Sequence, residues 1–181
     1  METLLLLYLL GLALAAAAAY FFFGSFVLGA GYQPTPARVA RRMVELAQVG
    51  PHDEVLDLGA GTGGLVFLCA AQGADVTGVE VEPLRFLFLR LRRSLSPYRA
   101  RVRIVRENMF RTDLRRATVV VVFLWPGAME RLKPKFETEL PPGARVVSYW
   151  HPVPGWTPDR EDPPLRVYLY VKKEAPVTGE N

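Results

Sequence analysis

Apolar residues run along this chain in several distinct rhythms. From Leu4 to Ala30 there are 27 positions without a charged residue. Val39, Met43, Leu46 and Ala47 then recur at helical spacing, and Gly50-Pro51 marks a stop. Thr35 is expected to cap that helix, with Pro36 in its first position. Beyond it, short apolar runs alternate with helical stretches. Asp53 to Leu58, Val76 to Glu80, Arg101 to Val105, Thr118 to Leu124 and Arg145 to Trp150 read as strands, the fourth strongly β-branched. Helices are expected up to about Gln72, with Gly73 as the stop, from Leu84 to about Ser96 after Pro83, and from Pro126 to Leu132 or beyond. Arg111 to Arg116 is a short helix or turn, and His151 to Pro164 is a Pro-rich loop. Leu165 to Val171 is a last strand, and a loose polar tail follows.

Strands alternating with helices imply a parallel sheet covered on both faces. The end of the chain breaks the rule. A parallel crossover needs a dozen or more residues, usually helical, and the segment between Trp150 and Leu165 offers only a Pro-rich loop. The last strand is therefore expected to run antiparallel on a mostly parallel α/β sheet.

Composition adds location. Half of the residues are hydrophobic, but the excess sits in the N-terminal run, which as a helix is roughly 40 Å long against a bilayer core of about 30 Å. A cleaved leader would want a basic start and a shorter apolar run, whereas this chain opens Met1-Glu2-Thr3. The expected division is a transmembrane anchor over 1–31, touching the bilayer through 4–30, a domain over 32–173 and a tail over 174–181. Arg38, Arg41 and Arg42 follow the anchor and only Glu2 precedes it. The positive-inside bias then gives a single-pass inner-membrane protein with its domain in the cytoplasm. Cys69 is the only cysteine, so no internal disulfide forms, and it reads as a packed thiol. His52 and His151 lack ligand-spaced neighbours, so no metal site is expected.

The chemistry is carried by Asp57-Leu58-Gly59-Ala60-Gly61-Thr62-Gly63-Gly64. A strand ends in a carboxylate, a tight glycine turn follows, and a helix begins. This arrangement brings backbone close to a nucleotide. Gly59, Gly61 and Gly64 fit G-x-G-x-x-G, with Glu80 19 residues beyond Gly61, which also suits a dinucleotide whose ribose the acid binds. A Walker loop is excluded, because no Gly-Lys-Ser/Thr follows. Asp57 separates the two readings: a carboxylate there repels a pyrophosphate and attracts a cofactor carrying an amino group and a sulfonium, such as S-adenosylmethionine (SAM).

At these residues the chain resembles the class I SAM-dependent methyltransferases, whose sheet is Rossmann-like. Asp57 to Gly63 looks like their motif I and Gly78-Val79-Glu80-Val81-Glu82-Pro83 like their second motif. The resemblance implies that Asp57, Gly59, Ala60, Gly61 and Gly63 hold the cofactor and that Glu80 binds the ribose hydroxyls. Asn108 falls where many members place an aspartate against the adenine, and an asparagine can still donate and accept there. Tyr32-x-Pro34-Thr35-Pro36, Leu124-x-Pro126, Pro142-Gly143-Ala144-Arg145 and Pro154-Gly155-Trp156-Thr157-Pro158 are similar to a subgroup of small membrane-anchored enzymes. That subgroup includes the lysine methyltransferases of the adenine nucleotide translocase and of the membrane-embedded c ring protein of ATP synthase, with prokaryotic relatives. Tyr32 and Thr35 are then expected at the edge of the cofactor pocket. One departure is Thr62-Gly63-Gly64-Leu65, where relatives often carry Asp-Gly-Arg.

Methyl transfer asks the protein chiefly to align a nucleophile in a dry site. The place for it is the end of the fourth strand, at Trp125 and Pro126. Trp125 is either a substrate-stacking wall or a packed aromatic, and no general base stands out. His151 and Trp156 are expected at the same sheet end, as lid or connector. The expected acceptor is a lysine of a membrane-associated protein. A lipid or small hydrophobic molecule is the alternative, as is a SAM-binding module without activity. Nucleic acid is not expected, and the oligomeric state is not specified. Between Arg85 and Arg116 lie eleven arginines and two acids, Glu107 and Asp113. In the helix after Pro83, Leu84, Leu87, Phe88, Leu91 and Leu95 share one face, and Phe86 and Leu89 lie among Arg85, Arg90, Arg92 and Arg93. That second set is expected on the outside, suited either to anionic lipid or to plain solvation.

Overall fold

The computed structural model describes residues 1–27 and 33–174. The last four residues of the anchor expectation, Tyr32 and the tail from residue 175 lie outside the described residues. The chain forms two compact units, Met1–Gln33 and Pro34–Asn181.

The first unit is one helix, α1 (Glu2–Val27). Its stretch Glu2–Tyr20 is long and apolar enough to cross a membrane, and none of it is buried.

The second unit contains α2 (Ala37–Leu46), β1 (Glu54–Leu58), α3 (Gly64–Ala71), β2 (Asp75–Val79), α4 (Pro83–Leu95), β3 (Val102–Val105), β4 (Val119–Val122), α5 (Pro126–Glu139), β5 (Arg145–Tyr149), β6 (Arg160–Asp162) and β7 (Val167–Val171). A single 3-10 turn, Pro163–Leu165, precedes β7. The seven strands lie in the order β3-β2-β1-β4-β5-β7-β6. β1 to β5 are parallel, and β7 runs antiparallel to β5 as expected. The strand β6 has no counterpart among the expected elements. It is three charged residues long and exists by pairing antiparallel with β7. A short polar strand is a common guard for a sheet edge.

β4 shows why the sheet is closed on both sides. Val119 and Val121 enter one apolar cluster with Val39, Met43, Val66 and Cys69, while Val120 and Val122 enter the other with Met129, Leu132, Phe136 and Tyr170. All four valines are buried. This is the two-faced burial of a central parallel strand. The Cys69 thiol is packed as expected, and burial raises its pKa.

At the N-terminal strand ends, Asp53 ties three strands together. It accepts from the Thr118 hydroxyl at 2.7 Å and pairs with Arg145.

Two local expectations are corrected. Thr35 does not cap α2: the helix starts at Ala37, Pro36 takes the cap position with an extended ψ of 141°, and no side-chain cap bond forms. The Pro36 carbonyl still accepts from the Ala40 N–H at 2.9 Å. Trp156 does not reach the crevice end. It packs edge-on to Tyr170 and near Phe136, and its indole donates to Glu137 at 3.3 Å.

The larger departure is α4. Arg85 and Leu89 are buried, whereas Leu87, Phe88, Leu91 and Leu95 are exposed.

Candidate cofactor crevice

The strand order reverses between β1 and β4. Loops leaving neighbouring strands part at such a point, and a crevice opens beyond the carboxyl ends. Asp57, the glycine turn, Glu80 and Trp125 all lie at these ends.

The turn is shaped by backbone demands. Gly59, Gly61 and Gly63 have φ of 86°, 56° and 82°. At Gly63 a Cβ would also run into the Leu89 and Phe67 side chains, so the left-handed backbone and the close packing both favour glycine there. The amides of Gly59 and Ala60 donate to the Val79 carbonyl at 3.0 and 2.9 Å, and Gly63 donates to Ala60 at 2.7 Å. Gly63 sits at the cap position of α3 and has no side chain to cap it. The Val66 amide, at the start of the same helix, acts on Asp57 from the strand before and opposes the rise of its pKa.

Glu80 locks the turn to β2. One of its oxygens accepts from the Gly61 N–H at 2.8 Å and the other from the Glu82 N–H at 2.9 Å. Each oxygen keeps a second lone pair. Glu82 caps α4, accepting from the Leu84 and Arg85 amides at 3.0 and 2.7 Å. Arg85 lies 3.7 Å from Glu80 and 3.8 Å from Glu82. The cap is readable in Glu82-Pro83, an acid followed by a proline that suits the first helical position. The burial of Arg85 has no such local signal.

Two buried carboxylates, Glu80 and Glu82, thus share one buried guanidinium, and a third buried carboxylate, Asp57, feels the charge of Glu80. The imbalance appears in the titration of Asp57 and Glu80. Burial first, and then the neighbouring Glu80, raises the Asp57 pKa from 3.8 to about 7. Burial likewise raises Glu80, against the hydrogen bonds from Glu82 and Gly61 and the charge of Arg85. A ligand bearing positive charge offsets this excess, and a diol matches the remaining acceptors of Glu80. The residues present therefore fit SAM, and they disfavour a pyrophosphate.

The other expected residues are less gathered. Asn108 is exposed, and its side-chain oxygen accepts from the Phe110 N–H at 3.0 Å, so its amide NH2 is what remains for a ligand. Thr35 is half-buried ahead of α2. Trp125 is 51% exposed at the start of α5, with Pro126 following it.

His151, which the sequence puts at this sheet end, has its ring 5.9 Å from that of Trp125. Sequence reasoning missed Trp150 and Arg166 beside them. Trp150, just before, has a left-handed φ of 69°, donates its N–H to the Arg166 carbonyl at 2.8 Å and carries the Arg166 guanidinium 4.3 Å over its ring. Partial burial, and then Arg166, lowers the His151 pKa, so the imidazole is neutral near pH 7. A separate open groove of about 480 Å³, lined by Glu137, Trp156, Asp159 and Lys172 among others, includes neither Trp125 nor any of the expected cofactor residues.

Comparison with known proteins agrees with this geometry. The family model described as the ANTKMT methyltransferase domain matches residues 57–160. A protein-lysine N-methyltransferase of Saccharolobus islandicus is 40% identical over 156 residues, covering 81% of this chain and 96% of that one. The adenine nucleotide translocase lysine N-methyltransferase of Mus musculus is 33% identical over 128 residues, covering 70% of this chain and 56% of that one. The chain spans about half the length of the animal relatives it matches. Among solved structures, an RNA methyltransferase from Salinibacter ruber in complex with S-adenosyl-L-homocysteine has a TM-score of 0.75 at 31% identity, covering 82% of this chain and 100% of that one. The chain belongs to the ANTKMT methyltransferase family. It is a SAM-dependent methyltransferase with the class I fold.

Proposed function

We propose that this methyltransferase N-methylates a lysine of a membrane-associated protein, working as a domain tethered to the bilayer by α1. The acceptor class rests on one observation: 40% identity to a protein-lysine N-methyltransferase along 96% of that protein's length. The tether rests on α1, apolar and unburied over Glu2–Tyr20. The positive-inside bias assigns the domain to the cytoplasm, and tethering raises its effective concentration toward targets in the same membrane.

In this reading Asp57 attracts the cationic end of SAM, Glu80 takes the ribose hydroxyls and the amides of the turn line its path. Asn108 offers its NH2 to the adenine edge, and Thr35 borders the pocket. When bound, SAM supplies a sulfonium methyl already activated by its charge. The chain has to present a neutral amine and keep water out. Trp125 gives the lysine stem an aromatic wall. His151, neutral and beside Trp125, takes the proton that an ε-ammonium sheds before it can attack.

The test is to incubate membranes with the full chain and methyl-labelled SAM, then separate protein, lipid and RNA. Label on lysine in protein is expected. Label confined to lipid, or to RNA, replaces this reading with another acceptor. No label in any fraction leaves a SAM-binding module. Trp125→Ala is expected to raise KM for the acceptor while SAM affinity stays put. His151→Gln is expected to lower kcat most near neutral pH, where the imidazole is unprotonated and the amine still carries its proton, and to matter less at alkaline pH, where the amine is already free.

A further inference from the structure

Helix α4 wears its leucines outward. Leu87, Leu91 and Leu95 are 56%, 61% and 79% exposed. They fall at helical spacing and form one ridge about 12 Å long. Three of the helix's four arginines reach back to the domain, and Arg90 stays exposed beside the ridge. Arg85 is buried at the carboxylates, Arg92 donates to the Thr62 carbonyl at 2.6 Å and lies over the Phe67 ring, and Arg93 donates to the Val102 carbonyl. Leu89 completes the inner contact at Gly63.

A row of exposed leucines is costly in water. Its surroundings indicate what covers it. From Pro83 to Arg106 there is no acidic residue and there are eight arginines. A second copy docking here would bring two arginine-ringed ridges together, with like charges opposed. An anionic bilayer gives the ridge an apolar layer and the arginines phosphates in one contact.

We propose that α4 is an interfacial helix that docks the catalytic domain onto anionic lipid, with Leu87, Leu91 and Leu95 in the acyl boundary and Arg90 and Arg99 at the headgroups. The proposal deepens the tethered reading of α1 and rests on it for the lipid's proximity. Because α4 begins at Glu82, beside the cofactor carboxylates, docking brings that rim of the crevice to the surface from which a membrane protein's lysine emerges. The ridge therefore sets the height and tilt of a domain that a tether alone leaves free to turn.

The test uses the full chain in vesicles. Cys69 is buried and is the only native cysteine, so Leu91→Cys accepts a polarity-sensitive fluorophore selectively. Thr138→Cys, on α5 across the sheet, is the control. On vesicles of phosphatidylcholine with phosphatidylglycerol, the probe at 91 is expected to shift to the blue and be quenched by nitroxide lipids, and the probe at 138 to stay aqueous. On phosphatidylcholine alone the effect at 91 is expected to fall severalfold. Arg90→Gln and Arg99→Gln should each reduce the docked fraction's binding constant about fivefold. A probe at 91 as aqueous as at 138 on anionic vesicles overturns the proposal. So does one that is already apolar without lipid, which means that the chain itself or a second copy covers the ridge. Flotation of the unlabelled chain with neutral vesicles in high salt reports α1 separately: loss of flotation removes the tether, while lipid quenching at 91 still upholds the docking helix. Leu87→Ser with Leu95→Ser should abolish the shift and leave SAM affinity unchanged.

Discussion

α2 and α4 carry similar mixtures of arginine and aliphatic residues, and they face the sheet in opposite senses. α2 buries Val39, Ala40, Met43, Val44 and Leu46 and leaves Arg41 in solvent. α4 buries Arg85 with Leu89 and leaves Leu87, Leu91 and Leu95 outside. The difference lies in what each helix meets. α2 lies over an apolar cluster built from Val66, Val119 and Val147. α4 starts at Glu80 and Glu82, two carboxylates that a buried cation makes tolerable. A hydrophobic period specifies a face, and the neighbours decide which face turns inward.

The strongest way to break this contrast is to swap what each helix buries. Met43→Ala on α2 is expected to cost about 2–5 kcal/mol through lost burial and a cavity. Arg85→Ala on α4 is expected to cost about 3–5 kcal/mol, because it strands Glu80 and Glu82 away from water with no guanidinium beside them. Urea denaturation measures both. SAM binding should be lost in Arg85→Ala as the Glu80 carboxylate is displaced or protonated. An Arg85→Ala protein as stable as the parent would mean that α4 is not held by charge.

Gly63→Ala acts where α4 meets the cofactor turn. A left-handed backbone costs an ordinary residue about 1–2 kcal/mol, and the new methyl collides with Leu89. A lowered Tm with weakened SAM binding is expected. Retained SAM affinity would show that the turn and α4 are not coupled through this contact.

Asp57 sharpens the electrostatic side of the comparison. It ionises near 3.8 in an unfolded chain and near 7 in the folded one. Between about pH 4 and pH 7 the folded domain therefore holds a proton that the unfolded chain has released, so stability of the SAM-free protein falls as pH rises through that window and levels off above it. SAM affinity follows the opposite slope and rises from about pH 6 to about pH 8, because the ionised carboxylate attracts the cation. Asp57→Asn should flatten both slopes and weaken binding. A pH-independent affinity in the parent would remove Asp57 from the cation's neighbourhood.

The same contrast explains what is legible in the chain. The proposed cofactor half is local: carboxylate, glycine turn and second acid are fixed in spacing by one strand-turn-helix and its neighbouring strand, so Asp57, Gly61 and Glu80 are readable, and the structure joins Gly61 to Glu80. The antiparallel β7 follows from the absence of a helix before it. The acceptor half is assembled from distant segments. His151 reaches Trp125 only because β5 lies beside β4, and Arg166 reaches Trp150 only because β7 lies beside β5. The three polar residues of β6 have no strand signal of their own. Sequence alone puts Trp156 at the wrong end, since nothing in a Pro-rich loop reveals that its indole is drawn down onto Phe136 and Tyr170.

The smallest effect is the most telling about α4. Leu91→Ala is expected to move the urea midpoint by no more than about 0.5 kcal/mol in either direction. The side chain is 61% exposed, so little apolar contact is lost, and alanine is at least as good a helix former. The matching change on α2, Leu46→Ala, removes a side chain that is 2% exposed and is expected to cost about 2–5 kcal/mol. Two leucines on two helices of one sheet face should therefore differ several-fold in cost. If Leu91→Ala instead cost more than about 1.5 kcal/mol in the absence of lipid, its side chain would be packed on protein in solution. The outward ridge, and the docking surface built on it, would then be gone.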